Sequence, residues 1–257
     1  MLDNHATASH FSRAASHYAQ HAGLQQLVRT HAMTFASRYW QEGAKLLDLG
    51  CGTGQFASES SHAGMRWQVL GIDWAHGMCQ QAATVCRAAI CADAHQLPLA
   101  DSSMDGVFSS LMLQWCNEPQ QVFLEIARVL KQGAAAILTV PTDGTLAELK
   151  EAFAAVDDTP HISEFMEAYT LMGYAARAGF SCLHLSQETI TEYYPDSIAL
   201  MRSLQAIGAT NAHHARRRSL MTPRQFARLE QAYEARRSAR GLPASWQIVF
   251  LVLRKDC

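Results

Sequence analysis

The 257-residue chain has no apolar run long enough to cross a bilayer. Its longest, such as residues 248–253, fall far short of the ~18 residues a membrane helix needs. The first ten residues lack the basic start and apolar core of a secretion signal. The seven cysteines contain no Cys-x-x-Cys pair, which argues against a disulfide framework and a metal site and points to reduced thiols in a cytosol. The pair His213-His214 has no carboxylate or cysteine at ligand spacing. Acids are scarce near the carboxyl end. Residues 201–257 hold eleven Lys or Arg against three Asp or Glu, whereas residues 1–200 hold ten against twenty. Such a basic block, with Arg216, Arg217 and Arg218 at its densest point, suits an acidic partner. Aromatics are sparse between the arginines and base stacking needs them, so an acidic protein, phosphate or carboxylate fits better than nucleic acid.

What is present is a globular composition, 49% hydrophobic and 17% charged, with length for one large α/β domain and an added lobe. The most informative stretch is Leu46-Leu47-Asp48-Leu49-Gly50-Cys51-Gly52-Thr53-Gly54. A buried strand ends there and turns through glycines, which accept positive φ and let backbone approach a ligand. A dinucleotide fingerprint needs Gly at the sixth position from Gly50, where this chain has Gln55. Two further short apolar runs end in acids, Asp73 and Asp93. Asp73 stands where a carboxylate accepts from both ribose hydroxyls, although an Asp there also suits a helix N-cap. Asp93 has the alternative of a surface turn. Asp48 is expected to order the glycine loop, and Cys51 to be a small filler.

Strand signals at 45–49, 68–72, 88–91, 105–109 and 135–140 alternate with helix signals at 55–62, 76–87 and 119–130, which predicts a parallel sheet. Gly133 is expected to close the helix before the fifth strand. Segments 181–187 and 246–253 read as two more strands. Outside the core at 44–141 lie an amino-terminal region, 1–40, and insertions at 142–172 and 195–243, expected to serve substrate or carrier recognition.

The loop G-x-G-x-G, with an Asp two residues before it and strand-end acids after it, resembles motif I of the class I S-adenosylmethionine methyltransferases. That likeness implies a Rossmann-like mixed seven-stranded sheet with an antiparallel final strand, flanked by helices. It also implies that Asp48, Gly50, Gly52, Gly54, Asp73, Asp93 and Gln114 form the S-adenosylmethionine site, with Asp93 beside the adenine amino group. Four more segments narrow the resemblance: Phe11-Ser12-Arg13-Ala14-Ala15-Ser16-His17-Tyr18 running on through His21-Ala22 and Gln25; Leu113-Gln114-Trp115-Cys116-Asn117; Gly144-Thr145-Leu146-Ala147-Glu148-Leu149; and Met201-Arg202-Ser203-Leu204-Gln205-Ala206-Ile207-Gly208-Ala209-Thr210. With motif I they are similar to the malonyl-acyl carrier protein O-methyltransferases of biotin synthesis. The resemblance implies methylation of the free carboxylate of a malonyl thioester, carried on acyl carrier protein or coenzyme A. Acyl carrier protein is acidic, which agrees with the basic carboxyl-terminal block and with Arg216, Arg217 and Arg218 as its footprint.

A malonyl carboxylate is ionised near neutral pH, so no general base is required. The chemistry needs in-line positioning and exclusion of water. Arg202 is the candidate to orient that carboxylate, since a guanidinium grips one with two parallel bonds; an ordinary helix salt bridge is the rival role. Phe11, Ala14 or Ala15, Tyr18, Ala22 and Gln25 recur at helical spacing and suggest a lid, with Tyr18 bounding the methyl-transfer site. Trp115 is a substrate-side candidate or plain core. The competing functions are a small-molecule methyltransferase, a noncatalytic S-adenosylmethionine-binding regulator and, disfavoured by Gln55, a nicotinamide dehydrogenase.

Overall fold

The structure is a computed structural model describing residues 4–15, 23–157, 159, 161–206 and 221–256. The apolar run before the glycine loop forms β1 (Lys45–Leu49), buried from Leu46 onward because it is the middle of the sheet. Around it stand β2 (Gln68–Asp73), β3 (Ala88–Cys91), β4 (Met104–Ser110), β5 (Leu130–Pro141), β6 (Phe180–Tyr194) and β7 (Leu242–Lys255). They form one seven-stranded sheet in the order β3-β2-β1-β4-β5-β7-β6. Strands β1 to β5 run parallel, while β7 is antiparallel to both β5 and β6. This is the mixed sheet with an antiparallel last strand that the sequence led us to expect.

Helices α1 (Asn4–Ala14) and α2 (Gly23–Ala36) precede the sheet. Within the parallel half come α3 (Gln55–His62), α4 (His76–Ala82) and α5 (Pro119–Val129). The later insertions supply α6 (Ala147–Ala154), α7 (Ala168–Arg177), α8 (Ser197–Ala206) and α9 (Pro223–Glu234). Alternate strand residues point to opposite faces, so each face carries its own apolar layer. On one, Val28, Trp40, Phe56, Phe108, Trp246 and Phe250 pack together; on the other, Leu47, Val107, Phe123, Ile126, Leu171 and Leu251 do. Among the described residues no helix is long and apolar enough to cross a membrane.

Several boundaries differ from expectation: β5, β6 and β7 run longer than the strands expected at 135–140, 181–187 and 246–253, and two helix ends move. Gly133 does not close α5. That helix stops at Val129 because Leu130 is already extended and pairs with Met104. The β4–β5 ladder then slips between Met104 and Gly106, and Gly133, with φ of 72°, takes up the irregularity on the β5 side. The helix after Asp73 ends at Ala82 rather than Arg87. A turn then returns the chain to the sheet, where Arg87 N–H donates to the Val69 carbonyl.

Candidate functional site

The carboxyl ends of β1, β2, β3 and β4 meet at one edge of the sheet around a cavity of about 840 Å³, its open mouth included. Its walls are Leu49-Gly50, Ile72-Asp73, Ala92-Asp93 and Ser110-Leu111, with Phe11 of α1 across the opening. This is the switch point between β1 and β4, where doubly wound sheets bind ligands. The glycines there are required by contact and conformation. Gly50 has φ of 75°, and a Cβ on it would lie 2.3 Å from Met112 Cγ. Gly52 has φ of 53° and faces open space.

Asp73 is the hub of this edge. Its Oδ2 accepts from Gly52 N–H at 2.9 Å and its Oδ1 from Ala75 N–H at 2.8 Å. One carboxylate therefore ties the glycine loop to the start of α4, and each oxygen keeps a lone pair. Burial raises the Asp73 pKa, opposed by these backbone hydrogen bonds. The loop-ordering role expected of Asp48 thus falls to Asp73. Asp48 is buried beneath the loop and does not line the cavity, and its Oδ2 has no hydrogen-bond partner among the described residues. Burial pushes its pKa up to about 8, against the pull of the Arg29 guanidinium. Asp93 lines the cavity, with Oδ1 accepting from His95 N–H at 2.9 Å and lying 2.6 Å from His95 Nδ1. Cys51 is packed against Gly71, and burial drives its thiol pKa far up, which suits a filler.

Beside the first cavity lies a second of about 1040 Å³, again with its mouth. Phe11, Leu111 and Trp115 line both, and the Phe11 and Trp115 rings meet edge to face at 5.4 Å. Gln114 lines this second cavity and not the first. Much of the rest of the wall comes from distant parts of the chain, among them Gln25 of α2, Leu149 and Phe153 of α6, Leu204 of α8 and Trp246 of β7, and segment 161–165 adds His161 and Glu164. Segment 142–146 is stitched onto β7, with Thr142 N–H donating to the Gln247 carbonyl at 2.8 Å and Leu146 N–H to the Ser245 carbonyl at 2.6 Å. That stitch seats α6 against the cavity. The sequence carried no signal for Trp246, which reads as an ordinary inward strand residue.

The structure does not bring every candidate together. Arg202 is exposed on α8 and lines neither cavity, although its neighbour Met201 lines the second. Tyr18, Arg216, Arg217 and Arg218 lie outside the described residues. Part of the basic block is already neutralised, since Arg236 pairs with Glu151 and Arg237 with Glu234. Arg224 and Arg228 are exposed on α9.

Residues 47–138 match the family model described as a methyltransferase domain. The geranyl diphosphate C-methyltransferase of Streptomyces coelicolor A3(2), solved in complex with S-adenosyl-L-homocysteine, shares the fold, with a TM-score of 0.55 over 91% of this chain and 81% of that one at 14% identity. Sheet, glycine loop and strand-end carboxylates thus define a class I S-adenosylmethionine-dependent methyltransferase. The malonyl-[acyl-carrier protein] O-methyltransferase of Alcanivorax borkumensis is 36% identical over 97% of this chain and 86% of its own length. The biotin biosynthesis bifunctional protein BioHC of Cellvibrio japonicus is 35% identical over 99% of this chain, which spans 51% of that longer protein. The chain belongs to the malonyl-[acyl-carrier protein] O-methyltransferase family, and its cofactor is S-adenosylmethionine.

The first cavity fits that cofactor. Lone pairs remain on Asp73 for a diol, Gly52 leaves space where a side chain would intrude, and Asp93 offers an acceptor farther along the same edge.

Proposed function

We propose that this protein methylates the free carboxylate of a malonyl thioester borne on acyl carrier protein, an early step of biotin synthesis carried out in the cytosol. The observation that carries this reading is the pair of cavities sharing one wall of Phe11, Leu111 and Trp115, in a chain alike over nearly its whole length to enzymes named for that reaction. Bound in the first cavity, S-adenosylmethionine supplies an electrophilic sulfonium methyl. Asp73 holds the ribose hydroxyls, Asp93 faces the adenine side, and the backbone of Gly50 and Gly52 admits close approach. The malonyl carboxylate is the nucleophile and needs no base. Among the described residues no Lys or Arg lines either cavity, so the attacking oxygens are not quenched by a tight ion pair. Leu149, Phe153 and Leu204 exclude water from them. Arg202, exposed on α8 next to the lining residue Met201, draws the anion in rather than gripping it inside. Tyr18, outside the described residues, is proposed for the same lid as Phe11 on its helical spacing from Phe11 in the sequence alone. Methyl transfer from labelled S-adenosylmethionine to malonyl-acyl carrier protein, with acetyl-acyl carrier protein as control, tests the reading. Label on the malonyl form alone supports it, and label on neither refutes it.

The lid reading makes its own demand. Gly77, in the first turn of α4, donates its N–H to Ser12 Oγ at 3.2 Å, and a Cβ there would lie 2.5 Å from the Ser12 carbonyl oxygen. Backbone cannot yield as a flexible side chain does, so Gly77→Ala pushes α1, and Phe11 with it, off the cavity. Calorimetry should show S-adenosylmethionine binding weakened roughly tenfold, about 1.4 kcal/mol, with little change in melting temperature. Unchanged affinity would detach α1 from cofactor retention.

The carrier reading predicts a selective loss. Replacing Arg216, Arg217 and Arg218 by Gln should lower kcat/KM for malonyl-acyl carrier protein by about tenfold or more, through slower electrostatically steered association. Malonyl-coenzyme A should be far less affected. Equal loss with both substrates would remove these arginines from the carrier footprint.

A further inference from the structure

Among the described residues, five buried side-chain polar atoms have no hydrogen-bond partner, and three of them, Gln25 Oε1, Gln114 Oε1 and Trp246 Nε1, belong to residues that line one cavity. An unmet buried polar group costs roughly 1–3 kcal/mol, so three around one space are not a packing accident. The orientation of Gln114 is fixed, because its Nε2 donates to the Leu111 carbonyl at 2.6 Å and leaves Oε1 as the acceptor. The backbone around the cavity is strained as well. Leu111 and Leu146 both line it with φ of 54° and 55°, a conformation rare for branched side chains and often kept at functional sites.

The unmet groups define a ligand. Trp246 offers one N–H donor and Gln114 Oε1 asks for an N–H donor, while the Gln25 amide, whose orientation no hydrogen bond fixes, can present either end. A malonate ion near neutral pH has acceptors only and cannot answer Gln114. A carrier thioester can, since its arm bears secondary amides beyond the sulfur and its acyl group ends in a thioester carbonyl. The apolar walls, Leu24, Leu149, Phe153 and Leu204 among them, suit the methylenes between those groups. Resting on the function proposed above, we infer that this cavity is an acyl-arm site that reads the carrier thioester by hydrogen bonds. Trp246 donates to the thioester carbonyl, Gln114 accepts from an amide N–H of the arm, and Gln25 meets an amide of the arm with either end. Selection is then for a thioester with an amide-bearing arm, and not merely for a free carboxylate.

Two small substrates separate the possibilities: the malonyl thioester of N-acetylcysteamine, which keeps one amide, and that of ethanethiol, which has none. The wild-type enzyme should prefer the first by roughly tenfold in kcat/KM, the expected value of one buried hydrogen bond. Gln25→Leu and Gln114→Leu should reduce that preference towards one, the amide-bearing substrate losing more than the ethanethiol thioester. Trp246→Phe, which keeps the aromatic bulk, should raise KM for both by a similar factor while S-adenosylmethionine affinity stays within about twofold. Equal use of the two thioesters by the wild type would overturn the acyl-arm site without recourse to any variant. So would an amide preference untouched in both glutamine variants, or Trp246→Phe with unchanged KM. If the wild type binds S-adenosylmethionine yet methylates neither small thioester nor malonyl-acyl carrier protein, the functional reading itself fails, and this inference with it.

Discussion

Asp73→Ala is expected to weaken S-adenosylmethionine binding at least a hundredfold. The Asp73 carboxylate accepts from Gly52 N–H and Ala75 N–H, and each oxygen retains a lone pair for a ribose hydroxyl. Hydrogen bonds to a charged acceptor are worth about 1.5–3 kcal/mol each, and two such bonds exceed a hundredfold in affinity. The variant also removes the acceptor that holds the glycine loop. Asp73→Asn should rescue little, because its amide must turn a donor towards one of the two N–H groups. Calorimetry on both variants decides the matter. If Asp73 only caps α4, Asp73→Ala will lower the melting temperature by a few degrees and leave affinity within about threefold, since a lost cap costs about 1 kcal/mol. Because burial raises the Asp73 pKa, cofactor binding should be strong above that pKa and fall as pH drops through it, at a higher pH than for an exposed aspartate.

Gly106→Ala is expected to be the most damaging single methyl in the fold. A Cβ at Gly106 would lie 2.1 Å from Trp40 Nε1 and 2.6 Å from Trp40 Cε2. The indole cannot swing away, because its N–H donates to the Ala135 carbonyl at 3.2 Å and its ring packs edge on against Phe56, Trp67 and Phe108. Trp40 thus lies flat over the place where Gly106 pairs with Ala135. Overpacking of this kind costs about 2–3 kcal/mol, or roughly 5–10 °C in melting temperature for a chain of this size. Turnover per folded molecule at low temperature should change less than about twofold, because position 106 is remote from the carboxyl edge of the sheet. An unchanged melting temperature would mean that Trp40 can move, and that the pairing beneath it tolerates a side chain.

These two residues mark how much is legible in the sequence. Asp73 can be picked out because its role is written in short range: an apolar run, a terminal acid and a glycine loop before it fix a strand end and a ligand-facing carboxylate. Gly106 cannot, since nothing near it in sequence announces an indole contributed from residue 40. The same division runs through the site. The glycine loop and the expected strands at 45–49 and 88–91 fall where the pattern puts them, because buried strands are set by local hydrophobicity. Proximity alone assigns the loop-ordering role to Asp48, yet the hydrogen bond goes to an acid on the neighbouring strand. Chemistry singles out Arg202, but the turn of α8 that presents Leu204 inward leaves it exposed. Gly133 looks like a helix stop, yet pairing between Leu130 and Met104 has already ended the helix.

By itself, then, the sequence determined the parallel half of the sheet, its glycine turn and the acids that end its strands, because period, turn chemistry and strand-end carboxylates act within a few residues of one another. Tertiary structure alone decided the second cavity. Its wall joins Phe11, Gln25, Gln114, Leu149 and Trp246, residues spread over most of the chain, and no local pattern encodes their meeting. They meet because β7 inserts antiparallel between β5 and β6, and because segment 142–146 bonds to β7 where the β5 ladder ends. The long-range ladder that closes the sheet also gathers three polar groups that no neighbour in the sequence could satisfy.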